Sequence, residues 1–166
     1  MERRKFLGYT AAAGTALMLN PFEGFAFTPG KKIRLVLVGT GHRGSGFWGN
    51  TLLQSLGEIV EFVGLCDINP GRLAYVKEML KISCPTFTDY KKMLGDTKPD
   101  YVIVTTVDAE HDNQIVTALE MGCDVITEKP MTTDEIKCKR ILDAEKRTGK
   151  KVIVAFNYRH SVHAMQ

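Results

Sequence analysis

The chain has 166 residues, of which 44% are hydrophobic and 25% are charged, and its formal net charge is +3. This length allows one compact domain with an appendage, and the composition is typical of a globular protein. Lysine and arginine residues are scattered singly or in pairs without a basic stripe, so the charge pattern gives no support for nucleic-acid binding.

The N-terminal residues form a separate segment. The twin arginines Arg3 and Arg4 precede a stretch without charged residues and rich in small ones, residues 8–19, and Gly24-Phe25-Ala26 offers a cleavage site. This pattern predicts a twin-arginine signal peptide over residues 1–26, which implies export to the periplasm with the twin-arginine export machinery as a partner. The alternatives are an uncleaved signal that retains the protein at the membrane, and an N-terminal amphipathic helix of the folded domain.

The first half of the remaining chain alternates three predicted strands with three predicted helices. The unbroken aliphatic run Ile33–Val38 suits a strand that is buried on both faces. Asn69 and Pro70 are typical of a helix start, and Gly95 is expected to stop the third helix. In chain order the predicted elements are the strand Ile33–Val38, the helix 45–56, the strand Val60–Cys66, the helix from Pro70 to about Leu80, the strand Thr86–Phe87 and the helix 89–94.

The second half repeats the alternation. A capping box in which Thr132 pairs with Glu135 is predicted to open its last helix, and Gly122 and Gly149 are expected to stop its two helices. The predicted elements are the strand Tyr101–Val104, the helix 112–121, the strand 125–127, the helix from the capping box to Thr148, and the strand 152–156. Six strands with intervening helices predict an α/β fold, a doubly wound parallel Rossmann sheet in the order 3-2-1-4-5-6 over residues 31–157.

The turn after the first strand carries the most informative motif, Gly39-Thr40-Gly41-His42-Arg43-Gly44. In this G-x-G-x-x-G pattern the first glycine permits a tight turn, the second lets the backbone approach a pyrophosphate, and the third lets the helix pack on the strand. The helix start offers N–H groups and a positive dipole end to phosphates. Asp67 ends the second strand at about the spacing of the acid that accepts the ribose hydroxyls. Dinucleotide binding is therefore predicted, in preference to an accidental glycine turn.

Neither the cysteines nor the histidines follow a metal-site spacing. The cysteines are Cys66, Cys84, Cys123 and Cys138, and the histidines are His42, His111, His160 and His163. No C-x-x-C pair occurs, so the cysteines are predicted to be buried, reduced and equivalent to small hydrophobic residues. No histidine has zinc-site spacing to a cysteine or carboxylate, so no metal is expected.

From residue 31 to residue 160 the chain resembles the Gfo/Idh/MocA family, which is named for glucose–fructose oxidoreductase, inositol dehydrogenase and rhizopine catabolism proteins. The motifs that carry the resemblance are the glycine motif already described, Cys66-Asp67-Ile68-Asn69-Pro70, Thr105-Thr106-Val107 with His111, Glu128-Lys129-Pro130, and Phe156-Asn157-Tyr158-Arg159. Val107 departs from the pattern, because many members have proline there.

The resemblance implies an NAD(P)-dependent oxidoreductase that transfers a hydride between the nicotinamide and a hydroxyl of a sugar or polyol. Lys129 would be the catalytic residue that stabilises the developing alkoxide. The Lys129–Pro130 peptide bond is expected to be cis, as this family tends to have it, so that the loop turns sharply and points Lys129 at the nicotinamide. Asp67 would repel a 2′-phosphate and favours NAD, whereas Arg72 could pair with that phosphate and keeps NADP as an alternative. The cofactor-binding residues implied are Gly39, Thr40, Gly41, His42, Arg43, Gly44, Asp67, Arg72, Thr105, Thr106, Val107, His111, Glu128, Lys129, Asn157 and Arg159.

The family's second, substrate-binding domain is expected to be absent from this chain, with residues 158–166 as its truncated start. That domain would supply the proton relay and the contacts of a homo-oligomer, while His160 and His163 are expected to be structural or solvated. A sugar or polyol is the implied small-molecule partner. The alternatives are an NAD-dependent glycosidase of the same superfamily and a truncated cofactor-binding domain without activity.

Overall fold

The computed structural model describes residues 31–156. The predicted signal peptide and the predicted start of the second domain, together with Asn157, Arg159, His160 and His163, lie outside the described residues. No helix in the described part of the chain is both long and apolar enough to span a bilayer.

Six strands of the described region form one parallel sheet in the predicted order 3-2-1-4-5-6. The strands are β1 Ile33–Val38, β2 Val60–Cys66, β3 Thr86–Phe87, β4 Tyr101–Val104, β5 Asp124–Glu128 and β6 Val152–Ala155. The fifth strand is one residue longer at each end than predicted, and the sixth ends one residue earlier. The doubly wound Rossmann fold is confirmed, since helices cover both faces of the sheet.

The core lies in two layers because alternate residues of each strand face opposite sides of the sheet. In β1, Val36 and Val38 belong to one layer, whereas Leu35 and Leu37 belong to the other, and all four side chains are at most 4% exposed. This explains why the strand has an unbroken aliphatic sequence instead of an alternating one.

The helices follow the strands in the predicted sequence of elements. They are a π-helical segment Gly44–Thr51, α1 Leu52–Leu56, α2 Pro70–Leu80, α3 Tyr90–Thr97, a short 3₁₀ helix Asp108–Glu110, α4 His111–Glu120 and α5 Glu135–Thr148. The predicted α-helix over residues 45–56 is therefore wrong in its first part, where the backbone bonds close from residue i to i+5, as between Phe47 O and Leu52 N. The predicted start of α2 is confirmed, because the Asn69 side chain accepts hydrogen bonds from Gly71 and Arg72.

The predicted stop of α3 at Gly95 is wrong. The helix continues to Thr97, whose hydroxyl donates to the Met93 carbonyl at 2.7 Å. Met93 and Thr97 are buried, so packing holds this last turn in place against the low helix propensity of glycine. Lys98 ends the helix instead, in a left-handed conformation with φ of 44°.

The predicted capping box of α5 is also wrong. Asp134 caps the helix by accepting a 2.9 Å hydrogen bond from the Lys137 backbone, and the helix begins at Glu135. The Thr132 hydroxyl makes no hydrogen bond within the described part of the chain. A carboxylate two residues further along the chain provides the cap that the threonine was predicted to provide.

The four cysteines are free thiols, and three of them are buried as predicted. Cys138 is only half-buried. Burial, with a smaller contribution from the charges of Asp67 and Asp89, raises the pKa of Cys66 to about 11. Such a thiol is neutral and unreactive at physiological pH.

Candidate functional site

The carboxyl ends of β1, β2 and β4 surround a cleft of about 340 Å³. The strand order reverses between β1 and β4, which are neighbours in the sheet, and ligands of doubly wound folds bind at this point. The predicted site residues that line the cleft are Gly39, Gly41, Asp67, Arg72, Thr105, Thr106 and Val107. Tyr90 and Gln114, which the sequence did not indicate, also line it.

Two of the three motif glycines are required by the fold itself. Gly39 has φ of 88°, and a Cβ there would lie 2.7 Å from the carbonyl of Thr105. A Cβ at Gly44 would collide with the Gly39 carbonyl and lie 2.7 Å from Thr105 Oγ1. The backbone after β1 therefore packs directly on the backbone after β4.

Gly41 differs from the other two glycines, because a Cβ there would meet no atom within 4 Å. No contact in the described structure requires glycine at this position. The open space beside Gly41 lies in the cleft wall at the start of the helical region. It fits the close approach of a pyrophosphate that the second glycine of the motif serves in dinucleotide sites.

Asp67 holds the glycine turn from the neighbouring strand. Its Oδ2 accepts hydrogen bonds from the Thr40 backbone at 2.7 Å and the Thr40 hydroxyl at 2.9 Å, and its Oδ1 accepts one from the Asn69 backbone at 2.9 Å. A carboxylate offers about four acceptor positions, so one remains, on Oδ1. Asp67 can thus take one ribose hydroxyl without giving up a bond, whereas the prediction assigned it two. The Arg72 guanidinium lies 4.0 Å from Oδ2 and is mostly exposed.

Glu128 is the last residue of β5 and Lys129 directly follows it, but one side chain is buried and the other is exposed. Glu128 is buried, and its Oε1 accepts hydrogen bonds from Arg43 Nε at 2.7 Å and from Trp48 Nε1 at 2.8 Å. Lys129 is exposed, and its ammonium has no hydrogen bond or ion pair with any described residue. The cis peptide bond between Lys129 and Pro130 is confirmed.

His111 does not line the cleft. Its ring is fully buried, with Nδ1 lying 3.0 Å from the Pro130 carbonyl and Nε2 lying 3.3 Å from the Thr106 carbonyl. These contacts connect the loop after β4 with the loop after β5. The described contacts of His111 are thus those of a residue that supports the site, although the resemblance placed it among the cofactor ligands.

The hydrogen bond of Trp48 to Glu128 was not predicted from the sequence, which placed Trp48 only on the apolar stripe of a helix. The indole is buried as expected, but its N–H is bonded to a carboxylate 80 residues away. The N–H group of a buried tryptophan usually has a hydrogen-bond acceptor, so an acceptor for Trp48 could have been expected, although not which one.

The family model described as "Oxidoreductase family, NAD-binding Rossmann fold" (GFO_IDH_MocA) matches residues 33–156, and the chain belongs to this family. The predicted resemblance is confirmed, and NAD is the cofactor of this fold.

Similar proteins include both sequences and solved structures. The oxidoreductase-family protein YteT of Bacillus subtilis is 37% identical over 131 residues, covering 76% of this chain and 31% of that protein. An inositol 2-dehydrogenase of Salmonella typhimurium is 30% identical, over 66% of this chain and 34% of that protein. The WlbA dehydrogenase of Chromobacterium violaceum, solved with NADH and UDP-GlcNAcA, has a TM-score of 0.77 and 28% identity, over 83% of this chain and 39% of that one.

The chain therefore spans about a third of the length of these relatives. What the matched part contains is the NAD-binding fold.

Proposed function

We propose that this chain is the cofactor-binding part of an oxidoreductase that transfers a hydride between NAD and a hydroxyl group of a sugar or polyol. The observation that carries the proposal is the pairing of a dinucleotide cleft with an exposed lysine at the end of β5 that no described residue neutralises. The substrate class is supported by the relative named as an inositol 2-dehydrogenase and by the WlbA dehydrogenase solved with NADH and UDP-GlcNAcA.

The residues present fit the cofactor. The space beside Gly41 and the N–H groups at the start of the helical region would hold the pyrophosphate, and the remaining acceptor position of Asp67 would hold a ribose hydroxyl. Thr106 and Val107, after β4, would form the opposite wall. NAD supplies the hydride acceptor of the reaction.

Lys129 would act on the substrate oxygen. A protonated amine donates a hydrogen bond to the hydroxyl oxygen and stabilises the negative charge that develops there as the hydride leaves. Because the ammonium has no described partner, it can reach this oxygen without breaking an existing ion pair.

The test is Lys129→Ala, with Lys146→Ala on the exposed surface of α5 as the matched control. In the complete enzyme the first change should lower kcat/KM for a polyol by about 10²-fold or more, the usual scale for such a group. The dissociation constant for NADH should stay within a factor of about 2 in both variants, because Lys129 is assigned to the substrate oxygen and not to the cofactor, and Lys146 lies on the surface of α5. A loss of NADH binding in Lys129→Ala as complete as in Gly41→Val would contradict the catalytic role.

We also propose that the protein is exported to the periplasm by the twin-arginine route. The support is the sequence pattern around Arg3 and Arg4. This route carries folded proteins, which suits a protein that must acquire its dinucleotide before export.

A further inference from the structure

A hydrogen-bond donor in the glycine motif and a second donor in the π-helical segment after it bind the same carboxylate oxygen, at the end of β5. Arg43 Nε and Trp48 Nε1 lie 2.7 and 2.8 Å from Glu128 Oε1, although Glu128 is 85 and 80 residues away along the chain. Only 7% of Glu128 is exposed, so its carboxylate depends on these two bonds in place of water.

The unusual helical winding explains why both donors reach the same point. On an α-helix, residues five apart, such as Arg43 and Trp48, would point about 140° away from each other. The π-helical segment Gly44–Thr51 closes its bonds from i to i+5, which brings residues five apart onto one face. The wide turn is thus what allows Arg43 and Trp48 to bind one carboxylate.

Aromatic packing fixes the two donors. The Arg43 guanidinium lies over the Phe47 ring, 4.5 Å from its centroid, and the Phe47 and Trp48 rings pack edge to face at 5.2 Å. Both contacts are favourable geometries. The Arg43 side chain is 42% exposed, so the position of its guanidinium depends on Phe47 and Glu128 more than on burial.

We propose that Arg43 and Trp48 are positioning residues that couple the pyrophosphate site to the loop that carries Lys129. Glu128 is the residue directly before Lys129, and the carbonyl of Pro130, directly after it, is held by His111. The exposed lysine thus lies between two anchored neighbours. Occupation of the glycine turn steadies the helical segment, and through Glu128 it steadies the Lys129 loop. The inference rests on the proposed function, since the coupling affects catalysis only if Lys129 acts on the substrate oxygen.

The experiment uses ADP-ribose, which carries the adenosine, the pyrophosphate and the second ribose but no nicotinamide. An effect on the Lys129 loop then cannot come from contact with the nicotinamide. The same measurement with ADP, which lacks the second ribose as well, excludes contact with that ribose, so that any protection that remains is transmitted through the protein. Hydrogen exchange of the chain, measured by mass spectrometry with and without saturating ADP-ribose, follows residues 39–47 and residues 128–133 separately. Wild-type exchange in the second segment should slow by at least about 5-fold, the lower end of common coupling between sites.

The variants remove one donor each. Arg43→Met keeps the length of the side chain without its N–H groups, and Trp48→Phe keeps an aromatic ring without its N–H. Both should retain the protection of residues 39–47 and lose that of residues 128–133, to less than about 2-fold. Arg43→Lys restores a cationic donor and should recover part of the transmitted protection, which a loss through poor packing alone would not explain. Arg147→Met, which breaks the exposed ion pair with Glu120, is the matched control and should behave as wild type.

The outcomes separate the two hypotheses. If the wild-type chain does not bind ADP-ribose, the proposed function fails. If it binds but residues 128–133 show no protection, or if both variants keep that protection, the coupling alone is overturned. Loss of ligand binding in both variants would also overturn it, by assigning Arg43 and Trp48 to the ligand site itself. Should Trp48→Phe fail to fold, the Arg43→Met and Arg43→Lys pair decides, because Arg43 is partly exposed.

Discussion

Substitution of Gly41 by valine should abolish dinucleotide binding while the fold is kept. A Cβ at this position meets nothing within 4 Å and the backbone is not left-handed, so the stability should change by only about 0.5 kcal/mol, as at ordinary surface sites. The added side chain would occupy the space beside the glycine turn. If it displaces two backbone N–H bonds to the pyrophosphate, each worth roughly 1.5–3 kcal/mol, about 3–6 kcal/mol of binding free energy is lost. The dissociation constant for NADH should then rise about 10²–10⁴-fold.

Gly44→Val is the matched comparison, since it places the same side chain three residues further on. Here the Cβ would collide with the Gly39 carbonyl and lie 2.7 Å from Thr105 Oγ1, and the main chain cannot easily move away. Overpacking of this kind costs about 1–3 kcal/mol, which lowers the Tm of a domain of this size by roughly 4–12 °C.

The assay is a fluorescence titration with NADH, accompanied by thermal unfolding followed by circular dichroism. The expected result is a stable Gly41→Val chain without binding and a destabilised Gly44→Val chain. Wild-type NADH affinity in Gly41→Val would refute the reasoning, because the pyrophosphate would then not lie against this turn. An equal loss of stability in both variants would show that the fold itself requires glycine at position 41, against the open space that the structure shows there.

The remaining predictions concern Asp67, Cys66 and the twin arginines. NAD should bind at least about 10-fold more tightly than NADP, because the Asp67 carboxylate repels a 2′-phosphate, and equal or tighter binding of NADP in the same titration would shift the argument to Arg72. Native Cys66 should react with iodoacetamide at pH 8 about 10²-fold more slowly than an unfolded thiol, since its pKa is raised from 9.0 to about 11. The unfolded thiol loses its proton first as the pH rises through this window, so the thiol also lowers stability between pH 9.0 and about 11, which urea titrations can follow. Replacement of Arg3 and Arg4 by lysine should leave the protein in the cytoplasm with residues 1–26 attached, as judged by cell fractionation; normal export would contradict the twin-arginine signal.

The sheet could be predicted from the sequence because the strands other than β3 are short runs rich in aliphatic residues, bounded by glycine or polar residues. The order of the strands follows from the handedness of parallel crossovers, and it needs no side-chain detail. The ends of two helices could not be predicted in the same way. At Gly95, burial of Met93 and Thr97 outweighs the propensity of glycine, and near Thr132 the sequence holds several good caps within three residues.

The position of the cleft could be predicted from the sequence, but the side-chain contacts around it could not. Gly39, Asp67 and Thr105 could be placed at one edge of the sheet, because parallel strands bring their carboxyl ends together. The contact of Arg43 and Trp48 with Glu128 could not, because it depends on a π-helical winding that no residue pattern specifies. The burial of His111 was equally hidden, since a histidine at the start of a helix has no local sign of which way its ring turns.

The two bonds from Thr40 to Asp67 have a kinetic consequence. These intramolecular hydrogen bonds hold the glycine turn in its binding conformation before the dinucleotide arrives. A preorganised turn loses little conformational entropy when the dinucleotide arrives, so most of the contact energy appears as affinity. Association should accordingly be a single bimolecular step, without a slow isomerisation of this turn before or after the encounter.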